Sequence, residues 1–328
     1  MKPLGLVRTT AAALAIALLF SPLSLARQHE QQDQQDSPAI RLSTDLVSLN
    51  VIVTDQNGRA IQGLKKGDFK VYEVRTEQPV SFFSADEAPV SWGLILDRSG
   101  SMMGMMRDVY RAAAHVVDEG TEQDEMFIAT FNDRVELVTD FLSDRHRLEN
   151  SLLGLRADGT TALWDAVGFG LNQVKRGKHR KKVLVVVTDG QDNASALKFR
   201  ELFERVEEDE VLIYPVGMSE PDGGLTRELI KLGLEDAYPQ LELEKLAEAT
   251  GTQAHFPKNV EECKRAMKEI AREVSQQYSI GYYPANTMRD GRWRKIQVKI
   301  SAPDGKTQYV ARTRAGYYAP QGGDSKPR

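Results

Sequence analysis

Residues 91–102 read SWGLILDRSGSM, and this stretch decides the fold of the chain. A short apolar run ends in Asp97, and hydroxyl side chains follow at Ser99 and Ser101. The pattern predicts a buried strand, a polar loop and then a helix. Asp97 could cap that helix, since Asp and Ser are common helix caps. The three side chains could also bind a hard cation such as Mg²⁺ rather than zinc, because they offer only oxygen ligands.

Two distant segments have matching features. Residues 159–163 (GTTAL) open an apolar-striped helix, and residues 183–190 (VLVVVTDG) are a second buried run in which Asp189 follows the last apolar residues. In a doubly wound sheet, ligands gather outside the carboxyl ends of the strands, at the point where the strand order reverses. We therefore expect Asp97 and Asp189 to end two neighbouring strands on either side of that crevice.

In this order, the three segments resemble a von Willebrand factor type A domain with an intact metal-ion-dependent adhesion site. The family pattern Gly-x-Thr-x-Leu fits residues 159–163 with Thr161 as the ligand, and Thr160 would be its neighbour or a helix cap. The resemblance implies that the hydroxyls bind the cation and that the two carboxylates act mainly through bound waters. The ligands that it implies are Asp97, Ser99, Ser101, Thr161 and Asp189.

The resemblance also implies a cofactor and a partner. The cation would be Mg²⁺, with Mn²⁺ or Ca²⁺ as alternatives, and it would keep much of its positive charge because few carboxylates bind it directly. An open coordination position would then be filled by an Asp or Glu of a partner protein. Such a site serves adhesion and not catalysis.

Neighbours of these ligands have more than one interpretation. Arg98 lies inside the motif, so it would point towards the partner and could help to select an acidic ligand. Asp192 and Asn193 could contact the site, and Asp192 could also contact the partner, or the two residues could cap the next helix. Asp165 is interpreted as a helix residue one turn beyond Thr161 rather than as a ligand.

Across residues 87–277, which we take as one domain, apolar runs alternate with amphipathic segments. This alternation predicts an α/β fold with a mostly parallel, doubly wound sheet. Residues 134–138 would add a short antiparallel edge strand, and Pro215 places the strand at residues 211–214 towards the other edge. Residues 254–256 would form the last short strand. One helix face that should be buried consists of Val260, Cys263, Met267, Ile270 and Val274.

Strand-like alternation flanks this domain on both sides, at residues 40–86 and 278–319. Neither segment has enough strands to be stable alone. We therefore predict that they pair into one small β-sandwich-like domain, into which the α/β domain is inserted. Asn57-Gly58 is a hairpin signal, and residues 309–315 should form a strand that returns along the preceding one. The phrases NGRAIQGLKKGDFKVYE and RWRKIQVKIS resemble a bacterial family of secreted von Willebrand A-related proteins.

The chain ends lack such alternation. Residues 1–26 resemble a secretory signal peptide, whose apolar core is shorter than the ~20 residues of a membrane span. From their polar composition we predict that residues 27–39 form a flexible leader and that residues 320–328 form a disordered tail. We expect an exported protein, periplasmic or extracellular, with no transmembrane span after signal cleavage. An uncleaved anchor is the alternative.

Composition excludes several classes of function. The net charge is −4 over 328 residues, whereas nucleic-acid binding usually requires a basic face. Cys263 is the single cysteine, which excludes a disulfide framework, and the histidines lack the spacing of a zinc site. The basic run at residues 175–182 would be a solvated loop or a contact for anionic lipid or another polyanion. Residues 218–242 would form a surface excursion whose purpose the sequence does not reveal.

Metal-dependent binding of a protein ligand is the function that this sequence favours. The alternative is a structural or homo-oligomeric protein of envelope assembly. A phosphoryl-transfer enzyme could use Asp97 as its nucleophile. However, Ser99 occupies the position where a dehalogenase-type motif has its general acid, and the chain has no Gly-x-Ser-x-Gly elbow. We therefore predict a binding protein and not an enzyme.

Overall fold

The computed structural model describes residues 46–56, 58–189, 192–218, 239–301 and 308–321. The predicted signal peptide and leader, most of the excursion at residues 218–242 and the end of the predicted tail lie outside this part of the chain. None of the described helices is long and apolar enough to cross a lipid bilayer.

The described residues form thirteen strands. In chain order they are Val47–Thr54 (β1), Phe69–Glu73 (β2), Thr76–Gln78 (β3), Val80–Ser84 (β4), Val90–Asp97 (β5), Glu125–Phe131 (β6), Val135–Leu142 (β7), Lys181–Thr188 (β8), Val211–Gly217 (β9), Tyr278–Tyr282 (β10), Trp293–Ile300 (β11), Val310–Arg312 (β12) and Gly316–Tyr318 (β13).

The same residues form six α-helices and two short 3-10 turns. The helices are Met106–Glu119 (α1), Arg145–Ser151 (α2), Leu163–Lys175 (α3), Phe199–Glu208 (α4), Pro239–Thr250 (α5) and Val260–Ser275 (α6). The 3-10 turns are Lys66–Asp68 and Gly100–Met102.

The central sheet has the spatial strand order β7-β6-β5-β8-β9. All its strands are parallel except the edge strand β7, which is antiparallel to β6. The mostly parallel sheet and both expected edge strands are therefore confirmed. Pro215 lies in the edge strand β9, where a missing N–H costs least. The strand expected at residues 254–256 is reduced to one bridge between His255 and Val216, since Pro257 cannot donate a further ladder bond.

The strand order creates a crevice between β5 and β8. After β5 the chain adds β6 and β7 on one side, and it then crosses over to add β8 and β9 on the other. Leu96 pairs with Val187, so the carboxyl ends of β5 and β8 lie side by side at one edge of the sheet. The expected adjacency of these two strands is confirmed. Ligands of α/β sheets gather at this position.

Helices cover both faces of the sheet because its strands are apolar on both faces. Every residue of β5 and β6 is buried. Helices α1 and α6 pack on one face, and α6 uses the predicted stripe from Val260 to Val274, with Cys263 fully buried. Helices α3, α4 and α5 pack on the other face. The two apolar layers fix the sheet, and with it the edge where β5 and β8 end.

The other eight strands form two antiparallel sheets, with the spatial orders β12-β1-β10-β4 and β13-β11-β2-β3. Strands from both sides of the α/β part pair within each sheet, as β1 does with β10 and β2 with β11. Leu49, Val71, Ile280 and Val298 belong to one apolar core that both sheets share. The two segments that flank the α/β part thus depend on each other for their pairing.

Three local expectations in these strands need correction. Only one bridge, between Thr54 and Ala60, follows the turn at Gly58, because the rest of β1 pairs with β10 and β12. The returning strand expected at residues 309–315 is split, since β12 joins β1 in one sheet while β13 joins β11 in the other. Gln321 forms a bridge with Asp290 and is thus part of the fold, although we predicted a tail there.

The end of α5 is in close contact with the segment between β12 and β13. Gly251 follows α5 with a φ of +81°, and a Cβ atom on it would lie 2.3 Å from the carbonyl carbon of Thr313. Beside it, the Ala315 N–H donates to the Ala249 carbonyl at 3.2 Å. Only glycine fits both the left-handed conformation and this close approach of two backbones.

Candidate metal centre

The five predicted ligands lie at the carboxyl edge of the central sheet. Asp97 is the last residue of β5, and Asp189 follows β8 directly. Ser99 and Ser101 lie at and within the 3-10 turn that follows β5. Thr161 lies two residues before α3. The structure thus brings residues from three distant segments to one edge, where the ends of β5 and β8 adjoin.

The Asp97 carboxylate is fully buried and accepts hydrogen bonds at both of its oxygens. Its Oδ1 accepts from the Ser99 N–H at 2.8 Å, and its Oδ2 accepts from the Thr188 hydroxyl at 2.8 Å. Tyr110 on α1 donates its hydroxyl proton to the Asp97 carbonyl at 3.2 Å. These bonds fix the orientation of the carboxylate relative to both β8 and the loop after β5.

Hydroxyl oxygens lie next to this carboxylate. The Ser99 and Ser101 hydroxyls are 2.9 Å apart, and Ser99 is buried while Ser101 is exposed to solvent. The pair therefore extends from the buried carboxylate towards the surface. Alcohol and carboxylate oxygens form the type of donor set that a hard divalent cation accepts.

The charge at this edge is negative. Burial raises the pKa of Asp97 above its usual range, hydrogen bonds from Ser99 and Thr188 oppose this rise, and the nearby Asp189 adds to it by repulsion. The neighbouring Arg98 forms its ion pairs with Asp158 and Glu136 and not with the Asp97 carboxylate. A cation bound here would supply that missing positive charge, so the donor set and its charge fit a divalent ion.

The usual strong metal ligands of proteins are His, Cys, Asp and Glu side chains. Within the described ranges, no three His, Cys, Asp or Glu side chains come together in a way that could hold a metal ion. A metal bound at the edge beyond β5 and β8 would therefore depend on hydroxyl ligands, as the resemblance in the sequence implies.

The main chain around Thr161 is held by the loop that follows β8. The Thr161 N–H donates to the Asn193 side-chain oxygen at 2.9 Å, and the Thr161 carbonyl accepts from the N–H groups of Asn193 and Ala194. Thr161 is buried, whereas Thr160 is exposed. Asn193 thus positions Thr161, which is the contact role that one interpretation of the sequence gave it.

Asp192 caps a helix, but not the one we expected. Its Oδ1 accepts from the N–H of Leu163, the first residue of α3, at 2.8 Å. The next helix, α4, has Lys198 at its N-cap and no side-chain cap. The loop after β8 folds back over the start of α3, so the cap acts on the helix that precedes it in sequence. Sequence order could not reveal this contact.

Asp165 completes a reciprocal contact between α3 and this loop. Its two carboxylate oxygens accept from the N–H groups of Ala196 and Leu197, each at 2.9 Å, while its own N–H donates to the Ser195 hydroxyl. Its expected position inside the helix is confirmed. The segment that carries Thr161 and the segment that follows Asp189 are therefore fastened together by hydrogen bonds in both directions.

Arg98 forms ion pairs within the chain. Its guanidinium lies 2.8 Å from Asp158 and 3.1 Å from Glu136, and its side chain is only 13% exposed. In this arrangement Arg98 ties the loop before Thr161 to strand β7 instead of pointing away from the protein. The expected orientation towards a partner differs from the observed one because two carboxylates from distant segments neutralise this arginine.

Asn132 is a positioning residue that our sequence analysis missed. Its side-chain N–H groups donate to the carboxylate and the carbonyl of Asp158, at 2.9 and 3.2 Å, and its carbonyl accepts from Ala162. Asn132 is buried directly after β6. The only signal in the sequence was a polar residue at the end of an apolar strand, a position where Asp97 and Asp189 also occur.

The basic run at residues 175–182 lies at the opposite, amino end of the sheet, where β8 begins. Each of its basic residues has a partner within the chain. The pairs are Lys175 with Asp209, Arg176 with Gln173, Lys178 with Glu125, His179 with Gln123, Arg180 with Ser48, Lys181 with Val274 and Lys182 with Gly177. The run therefore connects α3 to β8 and is held in place by these contacts within the chain.

Comparison with known proteins gives distant relatives. An uncharacterized protein of Synechocystis sp. is 30% identical over 118 residues, which are 34% of this chain and 28% of that protein. The chain thus spans under a third of that relative's length.

Solved structures are more distant in sequence. The von Willebrand factor domain of a type V pilus tip protein from Porphyromonas gingivalis is 18% identical, with 33% of this chain and 40% of that chain covered and a TM-score of 0.31. An aerotolerance-related membrane protein from Bacteroides fragilis is 18% identical, with 56% and 98% covered and a TM-score of 0.44. Proximal thread matrix protein 1 from the mussel byssus, with a zinc-occupied MIDAS motif, is 15% identical, with 62% and 49% covered and a TM-score of 0.48. Similarity this low says nothing about the ligand of this chain.

The family itself is shown by sequence. The profile of the von Willebrand factor type A domain matches residues 93–273, which is more than half of the chain. The match begins inside β5 and ends within α6, so it includes the central sheet and the edge described above. This chain belongs to the von Willebrand factor type A domain family.

Proposed function

We propose that this chain is an exported protein-binding module, in which a divalent cation at the carboxyl edge of the central sheet binds a carboxylate of a partner protein. Family membership supports the general class, because proteins with this domain are generally adhesion or assembly modules without enzymatic activity. One observation carries the specific proposal: a fully buried Asp97 carboxylate lies beside two adjoining serine hydroxyls that extend to the surface.

The ligand set of this proposal is the predicted one. Ser99, Ser101 and Thr161 would offer hydroxyl oxygens, and Asp97 and Asp189 would offer carboxylates that act through water. Mg²⁺ is the proposed cation, with Mn²⁺ or Ca²⁺ as alternatives that use the same oxygen donors. When bound, the cation would supply positive charge and a coordination position for an Asp or Glu side chain of the partner.

Residues around the edge would make this binding depend on the cation. Asp133, Glu136 and Asp158 are exposed carboxylates on the loops and the strand beside the predicted ligands. Arg134 pairs with Asp133, and Arg98 pairs with Glu136 and Asp158, so two of these three negative charges are offset. The remaining charge and those of Asp97 and Asp189 would repel an acidic partner at close range, and salt screens this repulsion only partly over such distances. An acidic ligand would therefore bind poorly unless a divalent cation offset the negative charge.

Arg98 and Asp192 take a modified part in the proposal. Both were predicted to contact the partner, yet Arg98 is paired with Glu136 and Asp158, and Asp192 caps α3. We assign them the task of holding the two loops that flank the ligands. Direct contact of Arg98 with a partner would first require the loss of these ion pairs.

The remaining parts of the chain would export and carry this module. Residues 1–26 would direct export to the periplasm or the exterior. The two antiparallel sheets, from residues 40–86 and 278–319, would form a β-sandwich-like domain into which the α/β domain at residues 87–277 is inserted. Their shared apolar core supports this interpretation.

The test uses purified wild type and an Asp97→Ala variant as baits for proteins from the envelope and the culture supernatant of the source cells, with Mg²⁺ or with chelator. Titration calorimetry measures Mg²⁺ binding by each bait in parallel. We expect Mg²⁺ to bind only wild type and a protein to be retained only by wild type with Mg²⁺. Equal retention of the same proteins by both baits, with Mg²⁺ and with chelator, would contradict the proposal. Retention of a second copy of this chain would favour the assembly role.

A further inference from the structure

Two exposed methionines lie directly beside the proposed cation site. Met103 is 70% exposed and Met105 is 38% exposed, whereas Met102 and Met106, on either side of them, pack into the apolar core. Met103 is two residues from Ser101, so their Cα atoms lie within about 7 Å of each other. The polar edge thus borders directly on apolar surface.

Local backbone geometry keeps this pair at the surface. Gly104 lies between the two methionines with a φ of +93°, a conformation that side-chain-bearing residues rarely adopt. The 3-10 turn ends at Met102, and α1 begins at Met106. The turn between them therefore displays Met103 and Met105 while the residues on either side anchor it to the core. We call these two side chains the methionine rim.

A third exposed apolar side chain lies in the segment between α2 and α3. Leu153 is 75% exposed, and its loop leads to Gly159, whose carbonyl accepts from the Gly100 N–H at 3.1 Å. Single exposed apolar residues are common on protein surfaces and need no explanation. Met103 and Met105 are a different case, because both lie on one turn beside one polar site, where a partner could remove their apolar surface from water.

From this juxtaposition we propose that the methionine rim receives a large apolar side chain next to the partner's metal-binding carboxylate. The ligand class is a protein segment in which an Asp or Glu is directly flanked by a residue such as Leu or Phe. Methionine is unbranched and polarisable, so this rim adapts to apolar side chains of different shape. The inference rests on the proposed function, because the carboxylate of the same segment occupies the cation site.

The test uses two immobilised nine-residue peptides with a central Asp, one flanked by Leu on both sides and one flanked by Ser. Retention of the purified full chain is measured with Mg²⁺ and with chelator, at a bead density that permits multivalent binding. The variants are Met103→Ser/Met105→Ser, and Met288→Ser as a matched control, because Met288 is 61% exposed on the connection between β10 and β11. Asp97→Ala reports on the metal site.

We expect wild type to prefer the Leu-flanked peptide about tenfold or more, a preference that corresponds to one covered apolar side chain. The double variant should lose this preference and keep Mg²⁺-dependent retention of both peptides, while Met288→Ser should behave as wild type. Equal Mg²⁺-dependent retention of both peptides by wild type would overturn the methionine rim and leave the proposed function intact. Retention that chelator and Asp97→Ala leave unchanged, or no retention of either peptide, would overturn both.

Discussion

Both ends of the central sheet carry many charged side chains, but the two ends differ in how these charges are paired within the chain. At the amino end, every basic residue of the run at residues 175–182 has a partner within the chain, such as Asp209 for Lys175. At the carboxyl end, Asp97 and Asp189 are close enough to repel each other, and the neighbouring Arg98 pairs with Asp158 and Glu136 instead of with Asp97. Two serine hydroxyls lie beside Asp97, and the exposed Met103 and Met105 follow them closely in sequence.

The difference separates structural charge from charge that is available to a ligand. The basic run satisfies the carbonyl of Val274 near the end of α6 and contacts β1 through Ser48, so it joins the α/β part to the end strands. Such contacts require no ligand. A buried carboxylate such as Asp97, which has no ion pair of its own among the described residues, is unfavourable unless a cation compensates for its charge. The strongest charge pattern in the sequence is therefore structural, and a weaker one is the candidate for function.

The largest expected effect comes from Asp189→Ala. Because this residue lies at the carboxyl end of β8, its loss should weaken Mg²⁺ binding by roughly 100-fold and abolish divalent-dependent partner capture. The fold should stay largely intact. Titration calorimetry measures the affinity, and thermal unfolding without Mg²⁺ checks the fold. Asp209→Ala at the amino end is the matched control and should bind Mg²⁺ as wild type does. If Asp209→Ala weakened Mg²⁺ binding as much as Asp189→Ala does, the two ends of the sheet would not differ in their role in metal binding.

Gly251→Ala should damage the amino end without touching the metal site. The added methyl group would lie 2.3 Å from the Thr313 carbonyl carbon, at a φ of +81°. We expect a loss of about 3 kcal/mol in the free energy of unfolding, as measured by urea denaturation. Gly63→Ala has a similar φ of +79° with no neighbour within 4 Å, so it should cost only about 1 kcal/mol. Similar losses in the two variants would show that the close contact contributes nothing.

Lys181 provides a test at alkaline pH. Burial lowers the pKa of Lys181 to about 8 from 10.5, and the negative charges of Asp124 and Glu87 partly oppose this shift. Between pH 8 and 10.5 the unfolded chain therefore binds more protons than the folded chain, so stability should rise with pH across this window by up to about 3 kcal/mol.

In Lys181→Met this rise should be absent, and in Lys175→Met it should persist, because Lys175 is a half-exposed residue of the same run. Urea denaturation from pH 7 to 10 measures the difference between each variant and wild type. If the stability of Lys181→Met still rose between pH 8 and 10, another group would be its cause.

Asn193→Ala should have the smallest effect. It removes the side-chain acceptor of the Thr161 N–H but leaves the main-chain bonds from Asn193 and Ala194 to the Thr161 carbonyl. We expect Mg²⁺ affinity to fall by about tenfold, with a cost of about 1 kcal/mol in the free energy of unfolding. Asn172→Ala, at an exposed position on α3, is the control and should change neither quantity. Unaltered Mg²⁺ affinity in Asn193→Ala would mean that Thr161 needs no support from this loop.

Much of the α/β part could be predicted because its signals are local. The apolar runs at β5 and β8 gave two buried strands, and Pro215 correctly placed β9 at an edge. The buried faces of α3 and α6 followed from helical spacing. Asp97 and Asp189 could be located at strand ends for the same reason: a buried strand must end where its residues turn polar.

The contacts between distant segments could not be predicted in this way. Asp192 caps α3 and not α4, Arg98 pairs with two carboxylates, and Asn132 holds the loop before Thr161. In each case the partner lies at least 26 residues away in sequence. Hydrogen-bond partners at such separations depend on how loops fold over one another, and residue spacing contains no information about that.

By itself, the sequence determined which segments are strands and helices, which faces are apolar, and which family the chain belongs to. These properties depend on periodicities of about two and 3.6 residues and on a short motif. The tertiary structure decided that β1 pairs with β10 and β12, that the basic run is fastened at the amino end, and that Met103 and Met105 border the carboxyl edge. The physical reason is that pairing and exposure arise from the arrangement of the whole chain, since each apolar face must find its cover among segments that are far apart in sequence.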